Sequence, residues 1–92
     1  MPKYYRDRIA DHYLYFTSHC IIEAMHVHAS DSKLTEAGSA KFFVKADGSS
    51  VLQNRGDLTE REINIIQRFI KENYLDMYQT WKRFGGEDFF RG

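Results

Sequence analysis

The sequence predicts an α+β domain: a small antiparallel sheet of about four strands followed by two C-terminal helices packed on one of its faces. Three observations carry this. Strand-like runs are confined to residues 9–56. Two alternating runs flank an Asp47-Gly48 turn pair. A capping box at Thr59 opens a stripe of apolar residues at helical spacing.

The first eight residues form an N-terminal arm in which Lys3, Tyr4, Tyr5, Arg6 and Arg8 make a basic, aromatic stretch. Such a stretch reads as a frayed or edge segment, with contact to an anionic partner as the alternative. Residues 12–18 are rich in aromatic and β-branched types and read as a strand. Residues 24–30 alternate and read as a second, joined to the first by a hairpin in which Ile21 and Ile22 are unusually apolar. If that hairpin sets residue 16 opposite 26, His12 projects beside His28. A polar loop is expected from Asp31 to Ser39.

Residues 39–46 and 49–54 are the third and fourth strands, and Asp-Gly suits a two-residue type I′ turn because both central positions need positive φ. That turn would set Val44 opposite Val51 and Phe42 opposite Gln53. Ala40, Phe42, Val44 and Val51 would then share the core face, with Lys41, Phe43, Lys45 and Leu52 on the other.

In the helical half, Thr59 and Glu62 satisfy each other's backbone donors, and Leu58 and Ile63 sit where a hydrophobic staple needs them. Ile63, Ile66, Ile70, Tyr74, Met77, Trp81 and Phe84 then recur every three or four residues. Asn73 to Asp76 resembles a second capping box, which predicts a break near Asn73, with one continuous helix as the alternative. Gly85-Gly86 ends the element, and residues 87–92 form a tail.

Size and charge restrict the function. The 92 residues suffice for a single domain with one core, and a domain of this size favours a shallow groove or an interface over a deep site. Hydrophobic content of 42% and charged content of 28% exclude a disordered chain. Net charge is zero and evenly spread, so duplex DNA is a poor partner. The lone Cys20 has no internal disulfide partner and reads as a small apolar residue. The polar N-terminus and the absence of a run of about 20 apolar residues predict a cytoplasmic protein with no membrane span.

The best candidate for chemistry is His26-Val27-His28. Two residues apart on a strand, the histidines point to one face, roughly 6.5–7 Å apart at Cα. They can act as a general acid–base pair or share a divalent metal, which needs a third ligand; His12, Glu23 and Asp31 are available. The next acid, Glu36, lies in the predicted loop. No cofactor is required by the sequence. Lys41, Phe43 and Lys45 form a cation–aromatic–cation stripe of the type that holds single-stranded nucleic acid, against which stands a solvated edge. Phe89 and Phe90, beyond the glycine stop, must fold back on the domain or be covered by a partner.

The order of these motifs is similar to that of the small prokaryotic domain-of-unknown-function family numbered 4160. The resemblance is carried by Tyr13-Leu14-Tyr15-Phe16, Met25-His26-Val27-His28, Ala40-Lys41-Phe42-Phe43-Val44, Asn54-Arg55-Gly56 and the helical segment through Asp76 and Trp81, over about residues 8–86. The family's histidine pair usually follows one or two prolines, where this chain has Glu23-Ala24-Met25. The resemblance implies a free-standing protein often encoded beside another small protein, hence one component of a toxin–antitoxin-like pair. It also strengthens His26, His28 and Lys41 as site residues. The leading expectation is a module that binds a small protein partner or a second copy, with Phe43, Phe89 and Phe90 as contact candidates. The alternatives are an RNA-cleaving or metal-dependent hydrolase using His26 and His28, and a nucleic-acid-binding module.

Overall fold

A computed structural model describes residues 3–17, 20–30 and 39–91. Strands β1 (Tyr13–Tyr15), β2 (His26–Ser30), β3 (Ala40–Val44) and β4 (Ser50–Asn54) form one antiparallel sheet in the order β1-β2-β3-β4, and a single helix α1 (Glu60–Arg83) follows. One face of the sheet carries Leu14, Val27, Ala29, Ala40, Phe42 and Val44, all buried. Onto it α1 packs Ile63, Ile66, Ile70, Met77 and Trp81. The predicted loop from Asp31 to 38, with Asp31 and Glu36, lies outside the described residues, as does the Cys20 side chain.

The helix is one element, not two. Asn73 donates its side-chain amide to the Phe69 carbonyl one turn back, at 2.9 Å. Its side chain is thus satisfied from within a continuous helix and does not act as a cap. Asp76, the supposed partner in a second capping box, instead accepts the Tyr5 hydroxyl at 2.6 Å. Burial and this carboxylate push the Tyr5 phenol well above its ordinary pKa. The true ends match their signals. Thr59 and Glu62 form the capping box, at 3.2 and 2.8 Å. At the other end Gly85 bonds Lys82 and Gly86 bonds Trp81 through their amides, the paired closure of a Schellman motif, with Gly85 at φ +84°.

The β3–β4 connection differs from the expected two-residue turn. Lys45 pairs with Ser49 and the Gly48 amide bonds the Lys45 carbonyl, so three residues, Ala46 to Gly48, make the loop, with Gly48 at φ +88°. The Asp47 carboxylate accepts both the amide and the hydroxyl of Ser49, which favours this wider turn and draws the Asp47 pKa down. The register moves by one: Val44 faces Ser50, Phe43 faces Val51, and Phe42 faces Leu52. A one-residue slip exchanges the faces of a strand. Leu52 accordingly packs on the core and Val51 is exposed, the reverse of the expectation. A bulge between Lys41 and Phe42 restores pairing at Asn54.

The first pair of strands is shorter and shifted too. Tyr15 faces His28, and residues 16–25, with a 3₁₀ turn at Cys20–Ile22, connect β1 to β2 in place of a short hairpin. A tight turn at Ile9–His12 has Ala10 and Asp11 both at positive φ, which a sequence without glycine does not advertise. The arm forms an edge segment: Lys3 bridges Tyr15, the Tyr4 amide bonds the Leu14 carbonyl, and Tyr4 is buried.

Two substitutions test these local devices. A Cβ on Gly48 would lie 2.6 Å from the Tyr74 ring, in a left-handed backbone. Gly48→Ala is therefore expected to destabilise the fold by more than about 1 kcal/mol. Thr59→Ala removes one half of the capping box and is expected to cost about 1 kcal/mol. Urea denaturation checks both; an unchanged midpoint for either would contradict the corresponding local contact.

Candidate functional site

Alternation along β2 sends Val27 and Ala29 to the helix and His26 and His28 to the opposite face. The two imidazoles meet edge to face, with centroids 5.0 Å apart. Neither is open to solvent: His26 is 0% exposed and His28 5%. Aromatic rings surround them. Tyr15 lies 5.4 Å from His28 and Phe43 lies 5.7 Å from His26. Trp81 comes from the helix to 5.4 Å from His26. It does so where β1 has already ended, at Tyr15, leaving no strand residue beside His26 on that side.

The hydrogen bonds define the state of His26. Its Nδ1 is 2.9 Å from the Ala24 carbonyl, which can only accept, so Nδ1 carries the proton. Nε2 is then a bare lone pair, buried and without a hydrogen-bond partner among the described residues. Burial lowers the His26 pKa from 6.5 to about 4; the Ala24 bond opposes this, and the neighbouring His28 and Lys41 add to it. At neutral pH His26 is an uncharged acceptor.

Lys41 stands directly across from His28 on β3. Its ammonium contacts both carboxylate oxygens of Glu23 at 3.1 Å and lies 4.9 Å from the centre of the Phe43 ring. Tyr15 and Ser39 share a hydrogen bond of 2.7 Å at the same face. The cluster thus joins His26, His28, Glu23, Lys41 and Phe43, all named from the sequence, and adds Tyr15, Ser39 and Trp81. Tyr15 was legible only with the correct β1–β2 register. Trp81 reads as core from its helical spacing, and nothing local announces its reach to His26.

Other candidates sit elsewhere. His12 does not join the histidine pair: its Nδ1 contacts the Ala10 carbonyl at 2.6 Å and lies 3.8 Å from Glu62 on the helix. The shifted register, with Tyr15 and not His12 near His28, is the reason. Among the described residues, no three His, Cys, Asp or Glu side chains gather so as to hold a metal ion. The two tail phenylalanines fold back. Phe89 stacks on Tyr78 at 3.9 Å and Phe90 on Phe43 at 4.3 Å. Lys45 bridges Phe90 through the backbone and so borders the cluster. No described helix is long and apolar enough to cross a membrane.

A four-strand antiparallel meander with one helix on one face and a closed histidine pair on the other defines a small α+β domain with a buried polar cluster. The family model described as a domain of unknown function, DUF4160, matches residues 12–82, and the chain belongs to that family. No curated protein and no solved structure matches it.

The depressed His26 pKa has a consequence for stability. Above about pH 6.5 neither the folded nor the unfolded chain is protonated there. Between 6.5 and about 4 the unfolded chain takes up the proton and the folded one does not, so stability falls as pH falls through that window. Unfolding free energies at pH 7.5 and 4.5 should differ by on the order of 2 kcal/mol more in the parent than in His26→Gln. Equal pH dependence in the two proteins would show that His26 is not buried as a neutral base.

Proposed function

We propose that this chain is a partner-binding module, one component of a toxin–antitoxin-like pair in the prokaryotic cytoplasm, working through protein–protein contact. The observation that carries the reading is the outer edge of the sheet. The arm covers the edge of β1, but among the described residues β4 has no strand beyond it. Edge strands usually carry lysine, proline or an inward charge that discourages pairing. β4 reads Ser50-Val51-Leu52-Gln53-Asn54, with none of these; a bulge interrupts it at Gln53, and Val51 on its other half is exposed. Such an edge suits strand addition by a partner, whose backbone supplies the missing bonds. Closure of the histidine pair agrees with this, because an acid–base pair acting on a large substrate must be reachable.

A second reading, a hydrolase using His26 and His28 with Lys41, is favoured by one observation: the bare, buried Nε2 of His26. It requires the cover of the cluster to open. Retention of full activity or toxicity by His26→Ala and His28→Ala would eliminate it.

The partner reading is tested by co-expressing the chain with the product of the neighbouring gene and sizing the purified material by light scattering. A stable complex is expected, and Val51→Lys, which places a charge on the open edge without touching the core, should abolish it. A wild-type monomer that captures no partner and causes no growth phenotype would contradict the proposal.

A further inference from the structure

Lys41 and Phe43 alternate on β3 and so share the outer face, and each is occupied by a group from elsewhere in the chain. The Phe90 ring lies flat on Phe43, 4.3 Å away and inclined by 17°. The Glu23 carboxylate sits on the Lys41 ammonium through both oxygens. A planar ring on an aromatic face, beside a carboxylate on a cation, is the pair of contacts that one aromatic anion would make.

Both occupants are peripheral. Phe90 is half-buried, and the Glu23 side chain is 48% exposed while Lys41, beneath it, is only 16% exposed. Phe90 itself is held to β3 by the bond from its amide to the Val44 carbonyl, at 2.9 Å, and by its backbone bridge to Lys45. The tail before it is tied separately: Trp81 donates to the Glu87 carbonyl, and the Met25 amide to that of Asp88. The Phe90 ring can therefore swing away while the rest of the tail stays in place. His26 stands edge to face with Phe43, their ring centroids 5.7 Å apart.

We propose that Lys41 and Phe43 form a binding site for a small molecule carrying a planar aromatic ring and an anionic group, kept closed by Phe90 and Glu23. The ligand ring takes the place of Phe90, and its anion takes the place of Glu23 on Lys41. A tethered occupant competes as a ligand at roughly millimolar effective concentration, so the intact chain binds weakly until Phe90 is displaced. The site adjoins the β4 edge, since Phe43 faces Val51, but it does not rest on the partner-binding reading.

The test is an amide-shift NMR titration at low salt with two probes, adenosine 5′-monophosphate and indole-3-acetate, and with adenosine and inorganic phosphate as half-ligands. Phe90→Ala is compared with the parent, and Phe90→Leu keeps apolar bulk if the alanine variant folds poorly. At least one probe should bind a Phe90 variant about tenfold or more tightly than the parent, with shifts at Lys41, Phe43 and His26. Lys41→Met in the same background should remove that binding, and each half-ligand should bind more weakly than the whole. The probe preferred identifies the source of the anion as phosphate or carboxylate. Failure of both probes to bind either Phe90 variant overturns the proposal, and so does binding that is indifferent to Phe90 or Lys41.

Discussion

Strand β2 is buried on both faces, and much of the molecule follows from how its two sides are covered. Met25, Val27 and Ala29 go under the helix, while His26 and His28 go under a second, aromatic cover. An apolar face needs only complementary shape, and the long stripe on α1 supplies it. A buried imidazole also needs its polar atoms answered, and an unanswered acceptor costs about 1–3 kcal/mol. His26 answers one nitrogen with the Ala24 carbonyl and, among the described residues, leaves the other without a partner. That residual cost fits a site more readily than a core chosen for stability alone.

The second cover explains features that otherwise look unrelated. Trp81 has to pass the end of β1 to reach His26, and β1 is only three residues long. Gly86 has to lack a side chain, since a Cβ there would lie 2.2 Å from the Trp81 ring. The tail has to turn back along β3, because Phe90 completes the shield over Phe43. The Schellman closure at Gly85 and Gly86 directs it there. Helix end, tail and sheet face are thus one arrangement around two imidazoles.

The sequence made the rules of short range legible and hid those of long range. The Thr59 box, the stripe from Ile63 to Trp81 and the shared face of His26 and His28 depend on neighbours within a few positions, and all are present. Asn73 looked like a cap because asparagine serves equally well at an N-cap or, as here, bonded to the carbonyl four residues back. Asp47-Gly48 fits two kinds of turn, and Ser49 decides between them through the Asp47 carboxylate. That choice shifted the register and exchanged Val51 with Leu52. Within the candidate site, the pairing of the histidines could be read from spacing. Their closure could not, since it depends on Tyr15, Phe43 and Trp81, which come from three distant segments.

The central claim is that His26 is a neutral, closed base with its proton on Nδ1. Imidazole ¹⁵N spectra of the intact protein, followed from about pH 8 to 5, test it directly. The account predicts a His26 signal pair with Nδ1 protonated and Nε2 bare, unchanged across that range. A proton on Nε2, or a titration midpoint near the ordinary value of 6.5, would contradict it.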